Sequence, residues 1–420
     1  MAYTQKFIQD NKKRRTDKRV SMSLLKIKRI PLYFKRFSWE IDFHEMKVLP
    51  FLMVSVYVVN MCVTMPLWAS YATLASIIAS FLFMSWLCLR SKTISTYGLS
   101  YIVFFLFLIG ITIINNTDVR NSIYIAIGIW TMLLIFRYYR TKTSMIICFF
   151  GVSLSLCIYA NFIHLITHPF LWLNALDKQN TGYFLGDNYN QMGSRIMIGL
   201  ATAILCSRTS KLYLINFILM SIVSIASLAF VGSMTSLSMV ILFIVFYLIP
   251  SSKLRKLGIL SIFTVYMLFQ TFVVFSGKGL ENNQLAVYLI EDVLHKDITF
   301  TQRTQMWDSA LHIISKSPIW GWGFVSLDWY KSYMSSFAAG PHNYILSIFI
   351  NGGIILLSIF IWIVYKSYKA INPFFKERMG QNLIFATICL YFMALMEMYP
   401  LPIMFYMLIL MFYYPNLKKE

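Results

Sequence analysis

The chain has 420 residues, of which 58% are hydrophobic and only 13% are charged, and its formal net charge is +20. Soluble domains typically have about 45–50% apolar and about 25% charged residues, so this composition excludes an ordinary soluble fold. In a soluble protein such a charge would point to nucleic acid, but in a membrane protein lysine and arginine collect in cytoplasmic connectors, and no nucleic-acid partner is expected.

Residues 1–46 form a basic arm in which lysines and arginines are interspersed with apolar residues. Two states are open for its second half, from Leu24 to Phe37. It is either an amphipathic segment on the inner leaflet, held by anionic lipids, or an unstructured positive tail. The first apolar run begins near Val48, too far along the chain for a standard cleavable signal peptide, so none is expected.

Apolar segments of membrane-spanning length fill most of the remaining chain. The predicted spans are 48–65, 70–89, 97–114, 121–136, 143–163, 189–207, 212–231, 236–250, 257–276, 342–365, 382–398 and 402–415. Runs of about 20 apolar residues indicate transmembrane helices, so the sequence predicts an all-α, polytopic integral membrane protein with about twelve spans. Nine lie in residues 47–276, which include an outer loop at 164–188, and three lie in residues 342–420, which end in a short basic tail. A large extracytoplasmic loop with short helices, 277–341, separates them.

Positive charge alternates from one connector to the next. The basic connectors contain Arg90 and Lys92, then Arg137, Arg140 and Lys142, then Arg208 and Lys211, then Lys253, Arg255 and Lys256, then Lys366, Lys369, Lys376 and Arg378, and finally Lys418 and Lys419. The short connectors between them, 66–69, 115–120, 232–235 and 399–401, contain a single basic residue, Arg120. The positive-inside rule therefore predicts that both termini are cytoplasmic and that the two long loops lie outside.

The sequence carries none of the common signatures of metal or nucleotide chemistry. The six cysteines all fall in apolar segments without metal-ligand spacing: Cys62, Cys88, Cys148, Cys157, Cys206 and Cys389. We therefore expect neither a disulfide nor a metal centre. P-loop, HExxH, GxSxG and DxD-type motifs are also missing from the chain.

The large loop contains the clearest helical pattern outside the spans. Apolar residues recur at helical spacing over 301–316, at Met306, Trp307, Ala310, Leu311, Ile313 and Ile314. Such a helix would lie across the top of the bundle with its apolar face down, Arg303 in its first turn and Pro318 just past its end. The next residues, Trp320-Gly321-Trp322-Gly323, predict a compact turn, because glycine permits close backbone approach; one tryptophan is expected to anchor at the bilayer interface.

A few ionisable residues at the predicted outer face are not needed for topology. His342 lies at the mouth of the tenth span, where a histidine either transfers a proton near neutral pH or hydrogen-bonds the bundle. Arg195 lies inside the sixth span, where an arginine usually faces a cavity or a partner. It either pairs with a substrate phosphate or forms a structural ion pair with Asp187 or Glu397. Glu397, in turn, is either a ligand-site carboxylate or the partner of Arg195.

The polar and glycine-rich residues of this region form a recognisable series. Arg303-x-x-x-Trp307 is followed by Ser317-Pro318-Ile319-Trp320-Gly321-Trp322-Gly323, then by His342-Asn343-Tyr344 and Gly352-Gly353-Ile354. This series resembles the signature region of the superfamily of O-antigen ligases and Wzy-type O-antigen polymerases. The resemblance is strong over about 300–365; the predicted topology extends it to nearly the whole chain, and Gly186 to Arg195 also fits.

The resemblance implies a metal-independent glycosyltransferase of the bacterial cytoplasmic membrane that uses lipid-diphosphate-linked sugars on the outer side and needs no cofactor. By analogy, Arg195 and Arg303 would hold the donor diphosphate, and His342 would accept the proton of the acceptor hydroxyl or orient it, with inversion at the anomeric carbon. Contacts with the substrate are expected from Asn343, Trp307, Asn190, Lys278, Glu397 and Tyr399. One departure is Met234, in Gly232-Ser233-Met234-Thr235-Ser236, where relatives often carry a basic residue. Either Lys278 substitutes for it or the substrate chemistry differs.

The function that these features favour is polymerisation of polysaccharide repeat units for O-antigen, capsule or exopolysaccharide. The growing chain would move from undecaprenyl diphosphate to a lipid-linked repeat unit, and expected partners besides these substrates and the membrane lipids are a chain-length regulator and a flippase. A ligase that moves the finished chain to another acceptor is an alternative, as is a flippase or transporter, although a transporter should carry midplane charges and similar halves. A peptidoglycan-polymerising relative would need a catalytic carboxylate at Glu291, Asp292 or Asp297.

Overall fold

The computed structural model describes residues 30–31, 40–41, 47–91, 95–173, 183–186, 188–277, 288, 303–335 and 340–419. Within these residues the chain is almost entirely helical. The α-helices are α1 (Val48–Cys62), α2 (Leu67–Arg90), α3 (Thr96–Ile114), α4 (Val119–Tyr138), α5 (Thr143–Thr167), α6 (Phe170–Leu173), α7 (Met192–Cys206), α8 (Lys211–Val231), α9 (Met234–Leu248), α10 (Ser252–Phe272), α11 (Arg303–Lys316), α12 (Leu327–Tyr333), α13 (Tyr344–Ile371), α14 (Arg378–Met393) and α15 (Leu401–Leu417). A 3-10 turn, Asn372–Phe374, follows α13.

The segment up to Lys47 is a unit separate from the helical unit Val48–Glu420. Its described part is one antiparallel pair of two-residue strands, β1 (Ile30–Pro31) and β2 (Glu40–Ile41). The rest of the predicted basic arm, 1–46, lies outside the described residues, so the choice between an amphipathic segment and a free tail stays a prediction.

The predicted class, an all-α polytopic membrane protein, is confirmed. Among the described residues, seven helices are long and apolar enough to cross a membrane: α2, α3, α4, α5, α8, α10 and α13. Four shorter apolar helices accompany them: α1, α7, α9 and α15. A helix lies at each of the twelve predicted spans, but length and composition identify seven as membrane-crossing, so the number twelve stays a prediction.

The centre of the bundle is formed by α7, in which every residue from Met192 to Cys206 is buried. It packs against α5, α8 and α14. Two glycines allow this, since a Cβ at Gly193 would overlap the side chain of Ser236 and one at Gly199 would press on Ile158. Small residues that let helices approach closely are typical of helix packing within membranes.

Several helix ends differ from the sequence-based boundaries. The sixth span was expected to begin at residue 189, but the Asn188 side chain accepts the amides of Asn190 and Gln191 in a turn, so α7 begins at Met192. The outer loop expected from residue 164 begins only after Thr167, where α5 ends.

The two C-terminal boundaries shift for local reasons. Helix α13 runs past the predicted end at residue 365 to Ile371, and Lys366 in this extension donates from Nζ to the Thr96 carbonyl at 2.8 Å. Helix α14 ends at Met393 rather than residue 398. The next residues turn back, and the Ala394 carbonyl accepts the Tyr344 amide at 3.0 Å.

The connectors gather at two opposite ends of the bundle. We call one the loop end, defined by residues 62–66, 115–118, 183–186, 188–191, 232–233, 317–326, 340–343 and 394–400. They contact one another, for example through the Thr64 amide and the Phe184 carbonyl at 3.0 Å and the Asp118 amide and the Phe324 carbonyl at 2.9 Å. The other is the basic end, defined by residues 139–142, 207–210, 249–251 and 372–377.

The predicted turn at residues 320–323 docks into a break in α13. Gly352 and Gly353 have non-helical dihedral angles, which interrupt the helix and release backbone groups. The Trp322 amide donates to the Ile350 carbonyl at 2.8 Å, and the Gly323 amide donates to the Asn351 carbonyl at 2.8 Å. An unpaired backbone group is costly in a membrane, so the turn satisfies the carbonyls that the break exposes.

Helix α11 lies on the bundle as its apolar pattern predicts. Met306, Trp307, Ala310, Ile313 and Ile314 are buried in one cluster with Leu346 and Ile350 of α13, Val274, Val325 and Tyr330, and Leu311 is partly buried beside them. The expected apolar face is therefore confirmed, and it fixes the first residue of α11, Arg303, at the loop end.

Candidate active site

A buried carboxylate lies at the centre of the candidate site. Glu397 is 7% exposed, and its Oε1 receives Nη2 of Arg303 at 2.5 Å. Its Oε2 faces Nδ1 of His342 at 3.4 Å. The Nε of Arg303 also donates to the Met396 carbonyl at 2.8 Å, which orients the guanidinium. Since an isolated buried charge is costly, these contacts explain how a carboxylate is retained here.

Asn343 holds the elements of this site together. Its Oδ1 accepts the Leu346 amide at 3.0 Å and caps the start of α13. Its Nδ2 donates to Oε1 of Gln270 at 2.9 Å and to the Leu395 carbonyl at 3.3 Å. One buried amide therefore ties the start of α13, next to His342, to α10 and to the connector that carries Glu397.

The backbone of His342 is held in an unusual conformation. Its φ is 46°, in the left-handed region that only a few per cent of residues other than glycine adopt. Such conformations persist only when their surroundings enforce them, and they cluster at active sites. Here the enforcing contacts are the Asn343 cap on one side and Glu397 on the other.

Arg195 lies in a second part of the same end. It is 3% exposed, and its Nη1 donates to the Gln191 carbonyl at 3.0 Å. The backbone of Gly186, with φ of 98°, packs closely against the Arg195 guanidinium. A Cβ at this position would come within 2.9 Å of the Arg195 Cζ. The guanidinium lines a cavity of about 190 Å³ whose other walls include Asn60, Thr64, Tyr124, Gly186, Pro400 and Pro402.

Tyr399 is electrostatically coupled to both parts. Its phenol is buried close to Ser236. Burial, and after it the charge of Glu397, raises the pKa of Tyr399 well above its usual value, although Arg195 and Arg303 act in the opposite direction. The phenol therefore stays protonated at neutral pH and can donate or accept a hydrogen bond.

The structure brings together most of the predicted catalytic and binding residues. Arg303 and His342 each contact Glu397, and the charges of Glu397, Arg303 and Arg195 all affect the pKa of Tyr399. The ion pair considered for Arg195 and Glu397 is not what forms: the carboxylate is taken by Arg303 and His342 instead. The other partner considered for Arg195, Asp187, lies outside the described residues.

The remaining predicted residues take other positions. Trp307 and Asn343 are fully buried within the protein, Trp307 packing edge-on against Phe269. Asn190 is half-buried, and its Oδ1 accepts a hydrogen bond from Ser233 at 3.4 Å. Their roles in binding substrate stay predictions. Lys278 lies outside the described residues, and so do the carboxylates Glu291, Asp292 and Asp297, so their predicted roles are not tested either.

Sequence reasoning missed Gln270 and the residues that wall the Arg195 cavity. Gln270 is a buried amide in the apolar second half of α10, and a polar residue inside a span is itself a signal of a partner. Asn60 and Tyr124, hydrogen-bonded to each other, gave a similar signal near the ends of two spans. Met234, the departure noted above, is exposed at the first residue of α9.

Comparison with known families identifies the region around this site. Residues 215–361 match the family model described as O-antigen ligase. The match runs from α8 into α13 and includes Arg303, His342 and the Gly352-Gly353 break, whereas Arg195 and Glu397 lie outside it. It confirms the resemblance to the superfamily of O-antigen ligases and polymerases and indicates a membrane glycosyltransferase-like enzyme. No curated protein and no solved structure matches the chain.

Proposed function

We propose that this chain, whose family match indicates a membrane glycosyltransferase, is a polysaccharide polymerase. It transfers a growing glycan from undecaprenyl diphosphate to the sugar hydroxyl of a second lipid-linked repeat unit. The observation that carries the proposal is the contact of His342 and Arg303 with one buried carboxylate at the loop end. A base oriented by a carboxylate, with cations close by, is what transfer from a diphosphate requires.

His342 serves as the base that accepts the hydroxyl proton. If its Nδ1 carries the hydrogen and donates to Glu397, its Nε2 is left as the acceptor that faces substrate. Glu397 then holds the ring in one tautomer and stabilises the imidazolium that forms, as carboxylates do in nucleophile–histidine–carboxylate triads.

The arginines stabilise the leaving diphosphate. Arg195 and Arg303 are the two cations that this site would offer to the diphosphate. As the bond between the sugar C1 and the phosphate oxygen breaks, negative charge grows on the diphosphate, and charge-assisted hydrogen bonds from guanidinium strengthen. Attack by the acceptor oxygen from the opposite side inverts the anomeric carbon.

The charge distribution supports an active site on the outer face of the cytoplasmic membrane. Arg140, Arg208 and Lys376 all lie in connectors of the basic end, opposite the loop end. Under the positive-inside rule the basic end and both termini are cytoplasmic, and the loop end is outside. A flippase that delivers the lipid-linked unit and a chain-length regulator are the partners such a reaction needs.

The second candidate is ligation, in which the same donor delivers its glycan to a different acceptor. The description of the matching family, O-antigen ligase, favours it. The two reactions share the base and the diphosphate site and differ only in the acceptor.

The test is reconstitution of the purified protein in liposomes with a lipid-diphosphate-linked repeat unit as the only glycan. We expect longer glycans on a gel, and a rate about 10²–10⁴-fold lower for His342→Ala, the range typical of a lost general base. His312→Ala is the matched control, because His312 is exposed on α11 away from Glu397.

Adding a glycolipid acceptor without a diphosphate separates the candidates. Elongation of the glycan without the glycolipid acceptor supports the polymerase. Glycan transfer only when this acceptor is present supports the ligase. If the wild-type protein forms no glycosidic bond with either acceptor but moves the repeat unit across the bilayer, the enzyme proposal is wrong and the chain is a transporter.

A further inference from the structure

We propose that a crevice toward the basic end binds one anionic phospholipid, with an acyl chain in the crevice and the phosphate on Arg137. The crevice has a volume of about 420 Å³ and lies between α2 and α3, with α4 and Tyr413 of α15 behind them. Its walls include Phe81 and Leu89 of α2, Gly98 and Ile102 of α3, and Trp130 of α4. It is separate from the candidate active site, which lies at the loop end.

The dimensions of the crevice suit a lipid chain from one leaflet. On α2 its lining runs from Phe81 to Leu89, and on α4 from Trp130 to Arg137. At 1.5 Å per residue these stretches are roughly 11–12 Å long. Half of a bilayer's hydrocarbon core is about 15 Å thick, so the crevice extends over most of one leaflet.

The crevice is apolar and opens sideways. Leu89 and Leu99 at its edges are 69% and 51% exposed, whereas Leu133 is buried. Gly98 leaves further room, since a Cβ built there meets no other atom within 4 Å. The exposed edge and the space at Gly98 therefore give an acyl chain a route from the surrounding lipid to the face of α3.

Among the described residues that line this crevice, one is a cation, and two more arginines lie nearby along the chain. Arg137, in the last turn of α4, is part of its lining, and none of the described residues that line it is acidic. Arg90 ends α2, where it lies over the ring of Trp86 at 5.7 Å, and Arg140 follows α4 closely. Guanidinium groups bind phosphate oxygens in pairs of hydrogen bonds, so the charge complements an anionic headgroup.

The position of Arg137 distinguishes this ligand from a lipid-linked substrate. Helix α3 has 19 residues and begins at the crevice and ends at the loop end. Its length at 1.5 Å per residue is about 28 Å, so a headgroup at Arg137 lies far from His342. A phospholipid of the leaflet at the basic end, rather than a diphosphate donor, is therefore the occupant.

The test measures lipid occupancy, not glycan transfer, so it stands or falls independently of the proposed enzyme activity. The protein is reconstituted in nanodiscs of equal phosphatidylglycerol and phosphatidylcholine, released, and weighed by native mass spectrometry. We expect one retained phosphatidylglycerol on the wild type. Gly98→Leu fills the crevice and should lose it. Gly110→Leu is the control, because Gly110 lies on the same helix, also has open space, and is not in the lining.

The headgroup is tested with a matched pair of arginines on α4. Arg137→Gln should reduce the preference for phosphatidylglycerol about tenfold, the effect of losing one charge-assisted hydrogen bond. Arg120→Gln, at the exposed opposite end of α4, should leave it unchanged. Size-exclusion profiles check that each variant is folded. Equal retention by wild type and Gly98→Leu, no preference between the two lipids, or a retained polyprenyl phosphate would each overturn the proposal.

Discussion

Glu397 links the two residues that the proposed chemistry needs, so their contributions to stability should depend on each other. The Arg303 and Glu397 side chains are 23% and 9% exposed and meet at 2.5 Å. We expect Arg303→Ala and Glu397→Ala to be non-additive by about 0.5–3 kcal/mol, the usual coupling of contacting residues. Thermal unfolding of the two single variants and the double variant in detergent measures it. Additive effects would mean that the ion pair does not stabilise the folded protein.

The strained backbone of His342 allows its chemical and structural roles to be separated. Asparagine tolerates the left-handed region, whereas a β-branched residue does not. We therefore expect His342→Asn to lose glycan transfer while keeping the melting temperature close to that of the wild type. His342→Val should lose transfer and also about 1–2 kcal/mol of stability. Equal melting temperatures for the two variants would show that φ of 46° is not enforced in the folded protein.

The predicted residues could be chosen from the sequence, but their partners could not. Arg303 and His342 stand out because topology does not require them. Their shared partner, Glu397, is 94 residues from Arg303 and 55 from His342. Its position depends on where α14 ends and how the connector turns back, and neither follows from helical periodicity.

At the scale of elements, the break in α13 should tolerate substitution less well than its apolar surroundings suggest. Gly353 has φ of 60° and ψ of −159°, and a Cβ there would overlap the Ile319 backbone. Gly353→Ala should cost about 1–3 kcal/mol from backbone strain alone and weaken glycan transfer.

The control for this prediction is Gly110→Ala in α3, where a Cβ meets no other atom within 4 Å. Removing a helical glycine at an open position should stabilise the protein by about 0.5–1 kcal/mol. Thermal unfolding of both variants decides the question, and a neutral Gly353→Ala would mean that the break can close into regular helix.

The periodic elements were predictable and the irregular ones were not. The apolar face of α11 and the compact turn at residues 320–323 follow from spacing and glycine content, and both are present. The break at Gly352-Gly353 was not expected, because a glycine pair inside an apolar run is compatible with a continuous transmembrane helix. Only the docking of a distant turn makes the interrupted backbone favourable.

At the scale of the molecule, the proposed sidedness can be tested by labelling. Asp328, whose side chain is 93% exposed, lies on α12 beside the loop end, and Lys253 is exposed beside the basic end. A membrane-impermeant maleimide should label Asp328→Cys in intact spheroplasts and Lys253→Cys only after lysis. The native cysteines are buried except Cys148, so Cys148→Ser supplies the background. Labelling of Lys253→Cys in intact cells would reverse the orientation.

The overall class was readable from composition because lipid-facing helices must be apolar. The order of packing was not, since α7 is less hydrophobic than α5 and α8 beside it yet lies at the centre, with all its residues buried. Hydrophobicity cannot distinguish a helix that faces lipid from one that faces other helices; the glycines that permit close approach were the available signal.

The backbone bonds between residues 318–323 and 350–354 also constrain how this protein can be recombined with its relatives. A chimera that imports only the loop of a relative keeps this protein's break in α13. The imported loop then has to supply the hydrogen bonds that residues 318–323 make to that break. The natural unit of exchange is therefore the whole stretch from Arg303 to Ile354, moved as a single cassette. Substrate range, if it is inherited in modules, should follow that cassette rather than the loop alone.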